Sequence, residues 1–469
     1  MLHFSSFAPW SRVRLFSAFL LAAPILFIAC KDGPEAPATD EREYNAGGAT
    51  TVFGEHSQVF QQPASNLTAQ EVDEHFKADA NFEAIFVTAP ATIQGGLGPL
   101  FNQTSCSGCH IRNGRAVFPA SPADDPGGLL FRLSLPGEGS LGESLEVPGF
   151  GGQLQTKSVF GKQPEGRVSV QFIEELVQFV DGEKVALRKP VFVFNDLYAA
   201  FPANGLISPR IAPPVFGLGL LEAIPETAVL AHADENDADG DGISGKPNYV
   251  WNVATQSKGL GRFGWKAGQP TLLQQTAAAY NGDMGVTTTM FQQENCTGQP
   301  QCDDLADDPE VDLETLKSTA FYTQSLAVPA ARNLDDPDVQ RGKKIFTKVK
   351  CGACHTPSFT TGAHPEYDFL SGQLIFPFTD LLLHDMGEGL ADNRPDHRAD
   401  GREWRTPPLW GIGLTQTVSG HTNFLHDGRA RNLTEAILWH GGEAESARQR
   451  VLQLSAGERN ALLAYLQSL

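Results

Sequence analysis

The chain has 469 residues, of which 41% are hydrophobic and 19% are charged. This composition supports a sizeable buried core and excludes wholesale disorder, and the length favours two or three domains. The formal net charge is -20, from 35 Lys and Arg residues against 55 Asp and Glu residues, which argues against nucleic-acid binding. An acidic surface suits a basic redox partner, bound cations or simple solubility.

The N-terminal segment has the pattern of an export signal. Two arginines precede an apolar stretch from Leu15 to Ala29, which is too short for a comfortable membrane span. Because Cys30 follows directly, the pattern resembles a bacterial lipoprotein cleavage site, with ordinary signal cleavage as the alternative. We predict a signal peptide at residues 1–30 and a polar, Pro- and Gly-rich tether at residues 31–50. The mature chain is then expected on the periplasmic side of a bacterial cell envelope, anchored to the membrane by a lipid at Cys30.

Two five-residue segments, CSGCH at 106–110 and CGACH at 351–355, carry the strongest chemical signal in the chain. Cysteines three positions apart on a helical turn lie on one face, so both thiols can form thioethers with the vinyl groups of one haem. The next residue, a histidine, then points at the iron as proximal ligand. A redox Cys-x-x-Cys or half a zinc site would leave both histidines unexplained. We predict two covalently bound c-type haems, held by Cys106, Cys109, His110, Cys351, Cys354 and His355.

The elements around the first motif alternate between helix and strand. A helix is predicted after the N-cap Thr68, because Glu71 stands three residues later and an amphipathic pattern follows. Strand-rich runs flank the turn at Asp181-Gly182 and predict a β-hairpin. Two more helices are predicted, within residues 271–282 and 311–327.

The other three cysteines also have plausible roles. Cys296 and Cys302 lie close together in NCTGQPQC, a spacing that suits a small disulfide loop in an exported protein. With Cys30 as the lipid site, none of the seven cysteines of the chain is left over, which suits an oxidising compartment.

An acidic loop, DENDADGDGISGKPN, has the spacing of the first half of a calcium loop. Asp237, Asp239 and Asp241 alternate and are followed by Gly242, which fits oxygen ligands around a sharp turn. The closing glutamate of an EF-hand is missing, so this is another kind of site or simply an acidic exposed turn. Because so many neighbouring carboxylates repel one another without a cation, we predict bound calcium.

From about Leu334 the pattern changes to that of a small haem domain. A short helix leads into the second motif, and the chain ends in an amphipathic helix with a capping box of Ser455 and Glu458. We therefore expect a mainly α fold with two cytochrome c-like haem domains. The N-terminal domain, at residues 51–333, is expected to be enlarged by a β-containing insertion and long loops, and the C-terminal cytochrome c domain spans residues 334–469.

Several longer segments resemble a known family. The segments GLGPLFNQTSCSGCH, PPVFGLGLLEAIPE, DADGDGISGKPNYVW, GRFGWKAGQPTLLQQ and HDGRA…ILWHGGEA are similar to those of the di-haem oxidoreductase, "putative peroxidase", family. The resemblance covers nearly the whole mature chain. Its C-terminal part also resembles the bacterial di-haem cytochrome c peroxidases and the related methylamine-utilisation di-haem enzyme. These motifs are specific for the family and much less specific for a substrate.

The resemblance implies a sixth ligand for the second haem. In peroxidases of this type the position fourteen residues after the histidine of HDG, here His426, supplies that ligand, and it is usually methionine. In this chain the position is His440, which implies bis-histidine ligation with His355 and a lower potential than methionine gives. Met386 is the rival ligand, whereas His384 and His426 are expected to be structural.

The resemblance also implies a division of labour between the haems. The first haem is expected to react with hydrogen peroxide, and Glu222, in an otherwise apolar stretch, is the candidate catalytic proton-transfer group, with a structural glutamate as the alternative. Trp265 is a candidate electron-transfer bridge, although tryptophans more often simply pack. The expected function is an exported di-haem peroxidase whose second haem receives electrons from a small redox protein. The alternatives are a non-catalytic electron-transfer protein and an accessory to iron acquisition at the cell surface.

Overall fold

A computed structural model describes residues 40–119, 121, 127–303, 305 and 308–469. The predicted signal peptide, the lipid site Cys30 and residues 31–39 of the predicted tether lie outside these residues. The rest of the predicted tether contains two 3-10 turns, Glu41–Tyr44 and Gly48–Thr50. The second turn is held to the body of the chain, because the backbone N–H of Ala49 donates a hydrogen bond to Gln373 Oε1 at 2.9 Å.

The helices are short and most of them begin at a side-chain cap. They are α1 Ala69–Glu83, α2 Cys106–Cys109, α3 Leu218–Glu222, α4 Glu226–Leu230, α5 Leu272–Met284, α6 Leu313–Ser325, α7 Pro337–Lys348, α8 Thr415–Ser419, α9 Leu433–Leu438, α10 Glu445–Leu452 and α11 Ala456–Ser468. Thr68 and Glu71 form a capping box at α1, and Ser455 and Glu458 form another at α11. Both boxes are therefore confirmed, as are the helices predicted within 271–282 and 311–327. Among the described helices, none has both the length and the apolar character that a membrane span requires.

The strands form several small sheets. They are β1 Val87–Thr88, β2 Gly95–Leu97, β3 Leu100–Phe101, β4 Leu129–Glu138, β5 Ser144–Leu145, β6 Lys157–Ser158, β7 Arg167–Gln178, β8 Lys184–Asn195, β9 Leu206–Ile211, β10 Tyr249–Asn252, β11 Ser257–Leu260, β12 Phe359–Thr360, β13 Leu374–Ile375, β14 Leu383–Asp385 and β15 Glu403–Arg405. The predicted hairpin is confirmed, because β7 and β8 pair antiparallel in register from Arg167 with Asn195 to Gln178 with Lys184. Gly182 takes a positive φ of 92° in the turn, which a glycine adopts without strain. A three-stranded sheet has the order β5-β4-β9.

The expected mainly α fold is wrong. Helices account for only 29% of the residues and strands for 20%, in multiple small sheets, so the architecture is not a pair of cytochrome c-like domains. The physical reason is that much of the chain outside the capped helices is broken by its 47 glycines and 31 prolines, which favour turns and loops. The motifs themselves follow this pattern, since the first has one helical turn and the second a 3-10 turn, Cys351–Ala353.

Helices α7 and α11 pack closely against each other beside the second motif. An added Cβ at Gly342 of α7 would lie 1.9 Å from the carbonyl oxygen of Ala461 in α11, so the close approach requires glycine. Phe346 and Tyr465 then meet edge to face, with ring centroids 5.5 Å apart. The predicted domain boundary at residue 333 falls in the loop before α7, and it stays a prediction.

The predicted disulfide is confirmed. Cys296 and Cys302 are joined, and Cys296 is fully buried. The largest hydrophobic cluster takes residues from strands β4, β7 and β8 and from helices α7 and α11. Both haem motifs are therefore held by parts of the chain that are far apart in sequence.

Candidate cofactor site

One cavity contains the cysteines and histidines of both motifs. It has a volume of about 520 Å³, and Cys106, Cys109 and His110 line it together with Cys351, Cys354 and His355. The disulfide of the described residues joins Cys296 and Cys302, so it does not involve the four motif cysteines. The tertiary structure therefore brings together two motifs that the sequence separates by more than two hundred residues.

Three histidines in this cavity share one hydrogen-bonding arrangement. His110 Nδ1 lies 2.7 Å from the carbonyl oxygen of Pro213. His355 Nδ1 lies 3.0 Å from the carbonyl oxygen of Phe378. His440 Nδ1 lies 2.8 Å from the carbonyl oxygen of Ala436. Because a carbonyl only accepts, Nδ1 carries the proton in each case and Nε2 keeps a lone pair for a metal.

Burial keeps these imidazoles neutral. It lowers the pKa of His110 and of His355 to about 4, and it also lowers the pKa of His440. A neutral imidazole is the form that binds iron, so the histidines are in the right protonation state near neutral pH.

His440 and His355 lie close to each other across the cavity. Burial is the main cause of the low pKa of His355, and the neighbouring His440 lowers it further. Met386 also lines this cavity, directly after β14. The structure thus brings both rival ligands to the second motif, and the choice of His440 stays a prediction.

His384 and His426 have contacts of a different kind. His384 is held at both ring nitrogens, with Nε2 2.8 Å from Asp380 Oδ2 and Nδ1 2.7 Å from Glu443 Oε2. Although burial opposes the charge, the hydrogen bonds with the two carboxylates raise the pKa of His384 well above its usual value. His426 stacks on Trp404 with ring centroids 3.7 Å apart and an interplanar angle of 11°. Neither histidine has the arrangement shared by the other three.

A family model described as "Di-haem oxidoreductase, putative peroxidase" matches residues 41–469. The chain belongs to this di-haem oxidoreductase family. Comparison with curated proteins gave no match, and comparison with solved structures gave none.

The residues of the cavity fit the two haems that this family implies. Each motif presents two thiols and a neutral imidazole whose Nε2 atom is left for a metal, and the walls between them are largely apolar. This donor set suits haem iron, which is held by a proximal histidine in many proteins. His110 and His355 are the residues that would hold the two haems of this di-haem oxidoreductase, and this assignment stays a prediction.

Glu222 lies beside this cavity without lining it. Its carboxylate accepts hydrogen bonds from the backbone N–H of Leu272 at 2.7 Å and from the Gln324 side chain at 2.7 Å. His364 Nε2 lies 3.7 Å from the same carboxylate. These contacts link the start of α5 to α6 through Glu222, which favours a structural role for this residue. The catalytic role of Glu222 stays a prediction, and the position of the residue does not support it.

Helix α5 presents one face to the cavity. This face carries Leu272, Gln275, Thr276, Ala279 and Asp283, which follow the helical period of 3.6 residues. Gln275 lines the cavity, whereas the side chain of Gln274 donates a hydrogen bond to the carbonyl oxygen of Trp251 in the β10–β11 hairpin. The sequence analysis missed Asp283, and the helical period of TLLQQTAAAYNGDM was the signal that could have found it.

Asp283 is a half-buried carboxylate on the cavity wall. Gln153 Nε2 donates to its Oδ1 at 3.0 Å, and the positive charge of Arg132 lies nearby. Burial raises the pKa of Asp283, while Arg132 and Gln153 act in the opposite direction. A carboxyl group with a raised pKa inside a cofactor cavity is a candidate for proton transfer.

The acidic loop lies next to the second motif. Ligand oxygens of Asp234, Asp237 and Asp239 lie within 4.8 Å of one another. Asp241, predicted as the third ligand, instead lines the cavity, and its carboxylate lies 3.9 Å from Lys350 Nζ, directly before the second motif. The cluster that suits a cation therefore includes Asp234, which the sequence analysis did not select.

Trp265 connects the walls of the two motifs. Its Nε1–H donates to the carbonyl oxygen of Ile211 at 2.8 Å, two residues before Pro213, which holds His110. Its own carbonyl oxygen accepts from the backbone N–H of Arg405 in β15 at 2.9 Å. Trp265 therefore lies on the wall of the cavity that contains both motifs, and its role as an electron-transfer bridge stays a prediction.

Proposed function

We propose that this di-haem oxidoreductase is a peroxidase with two covalently bound c-type haems. The first haem is assigned to Cys106, Cys109 and His110, and the second to Cys351, Cys354 and His355 with His440 as its sixth ligand. The observation that carries the proposal is the single cavity in which three imidazoles have Nδ1 engaged by a carbonyl and Nε2 left for iron.

The two sites differ in a way that suits two roles. Two of the three imidazoles, His355 and His440, lie together at the second site, which favours a six-coordinate haem for electron transfer. His110 lines the same cavity as Gln275 and Asp283 of α5, which are polar groups on a largely apolar wall. We infer that hydrogen peroxide reacts at this first site.

Reduction of one hydrogen peroxide to two waters consumes two electrons and two protons. When bound, the haems supply the storage and transfer of the electrons. The residues of the chain supply the protons and the orientation. Asp283 is the proposed proton-transfer group, because its carboxyl group lies on the cavity wall and is fixed by a hydrogen bond from Gln153. Gln275 is proposed to orient the peroxide by hydrogen bonding.

The location and partners belong to the same proposal. A disulfide between Cys296 and Cys302 supports an oxidising compartment, in agreement with the proposed export signal and lipid anchor at Cys30. The net charge of -20 favours a basic small redox protein as electron donor. We also propose that calcium binds Asp234, Asp237 and Asp239, whose oxygens converge.

The test combines mass, electron paramagnetic resonance (EPR) and peroxide turnover on the full mature protein. Intact mass should show two attached haems. The half-reduced protein should contain one high-spin haem that responds to hydrogen peroxide, and a reduced donor protein should be oxidised in a peroxide-dependent way. If both haems stay low-spin and peroxide leaves the spectrum unchanged, the protein is an electron-transfer protein and the peroxidase proposal fails.

A further inference from the structure

The charge of the cavity is opposite to that of the chain as a whole. Among the described residues that line it, eight are Arg or Lys and four are Asp or Glu, which gives a formal charge of +4 with histidines neutral. The whole chain carries -20. A positive interior in an acidic protein indicates that the cavity is built for an anionic ligand, because buried like charges are otherwise unfavourable.

Three of these arginines converge on one side of the cavity. Arg132 lies on β4 and Arg210 on the adjacent strand β9, where the register pairs Arg132 with Ser208 and Leu130 with Arg210. Residues two apart in this register lie on the same face of a sheet, so both guanidinium groups point the same way. Arg394 joins them from a loop that follows the second motif.

The carboxylates of the described residues leave hydrogen-bond donors of Arg210 and Arg394 without an acceptor. Asp396 Oδ2 accepts from Arg210 Nη1 at 2.9 Å and from Arg394 Nη1 at 3.4 Å. Two further buried nitrogens, Arg210 Nη2 and Arg394 Nε, have no hydrogen-bond partner. The side chain of Arg394 is only 7% exposed and that of Arg210 12%, so their unpaired donors require another acceptor in the cavity.

The arginine group lies next to the first motif. Strand β9 ends at Ile211, one residue after Arg210 and two residues before Pro213, whose carbonyl oxygen accepts a hydrogen bond from His110. The backbones of Arg132 and Gln153 form a β-bridge. The side-chain amide of Gln153 donates a hydrogen bond to Asp283. The backbone carbonyl of Asp283 in turn accepts from the N–H groups of residues 102 and 103, just before Cys106.

We propose that Arg132, Arg210 and Arg394 bind the propionate carboxylates of the first haem. The proposal rests on the assignment of two haems made above. Arginine matches carboxylates with paired N–H donors, and the unpaired nitrogens of Arg210 and Arg394 supply such donors inside the cavity. Because Arg394 comes from the part of the chain after the second motif, this contact also ties that part to the first haem.

The test compares charge-removing and charge-keeping variants of the haem-loaded protein. Arg210→Gln and Arg394→Gln should each lower the reduction potential of the first haem, because a neighbouring cation stabilises the added electron. We expect at least a tenfold change in the redox equilibrium, which is about 59 mV for one electron. Arg210→Lys should keep most of the potential but still shift the propionate bands in the resonance Raman spectrum. Arg459→Gln, a mostly buried arginine outside the cavity, is the matched control and should change neither.

Each outcome decides the proposal. A potential shift without a change in the propionate bands would mean that the arginines act only by charge, and a shift confined to the second haem would place the contact elsewhere. Either result, or wild-type values in all variants, overturns the proposal. If a glutamine variant does not fold, the Raman bands of Arg210→Lys still decide. Intact mass keeps the two proposals separate, because fewer than two haems on the wild-type protein contradicts the two-haem assignment, whereas two haems with unchanged potentials and Raman bands in the variants contradict only the arginine proposal.

Discussion

His384 and Glu443 form a buried hydrogen-bonded pair, with His384 Nδ1 2.7 Å from Glu443 Oε2. His384 stands two residues before Met386, and Glu443 stands three residues after His440. The pair therefore ties together the two segments that carry the rival ligands of the second haem. Glu443 Oε1 also accepts from Ser244 Oγ at 2.6 Å, which joins the acidic loop to the same network.

The first prediction concerns the sixth ligand of the second haem. His440→Gly should convert this haem from low-spin to high-spin, because the imidazole that faces His355 is lost. The change is measured by EPR and by visible spectroscopy, and added imidazole should restore the low-spin spectrum. Met386→Leu is the matched control and should leave the spectrum unchanged. The reverse pattern would give the ligand role to Met386.

The second prediction separates the two carboxylates proposed for proton transfer. Asp283→Asn should lower peroxide turnover by roughly 10²- to 10⁴-fold, the usual contribution of a general acid or base. Glu222→Gln should retain most of the turnover, because Glu222 does not line the cavity and instead holds Leu272 and Gln324. Steady-state rates at saturating donor provide the measurement. If Glu222→Gln abolishes turnover and Asp283→Asn does not, the original prediction for Glu222 is restored.

The third prediction concerns the pH dependence of stability. Glu165 is fully buried and accepts from the backbone N–H of Gln155 and from Gln299. Burial raises the pKa of Glu165 to about 8 from its usual 4.5. The folded chain thus holds a proton that the unfolded chain has lost, so its contribution to stability is complete below pH 4.5 and disappears as the pH rises through 8.

Glu165→Gln should flatten this dependence, because glutamine keeps the hydrogen-bonding shape without a titrating group. The free energy of unfolding is measured by chemical denaturation between pH 4.5 and 8. Glu146→Gln, which changes an exposed glutamate that lines a separate polar cavity, should keep the wild-type slope. Equal slopes for wild type and Glu165→Gln would contradict the prediction.

The fourth prediction concerns calcium at the acidic loop. Calcium should raise the midpoint of thermal unfolding of the chelator-treated protein, since a ligand that binds only the folded state stabilises it. Asp237→Asn should weaken this effect, because Asp237 belongs to the converging cluster with Asp234 and Asp239. Asp241→Asn should weaken it less, because Asp241 faces Lys350. An equal loss in both variants would support the ligand set first predicted from the sequence.

Local signals explain what could be predicted from the sequence. The caps at Thr68 and Ser455, the turn at Gly182 and the disulfide of Cys296 all depend on residues within a few positions of one another. The same holds for the motifs, since the thiols and histidine of each one share a single turn. The mainly α prediction failed because strands such as β4 and β9 pair across seventy residues, and no local pattern records that register.

The sequence by itself determined the prediction of which residues would hold each haem, because spacing along one turn places two thiols and an imidazole on the same side. Only the tertiary structure decided which groups surround them. It placed Glu222 outside the cavity and Asp283 on its wall, and it brought Arg394 to Arg210. The reason is that a side chain's neighbours depend on how distant segments pack, whereas its reach within a turn depends only on local geometry.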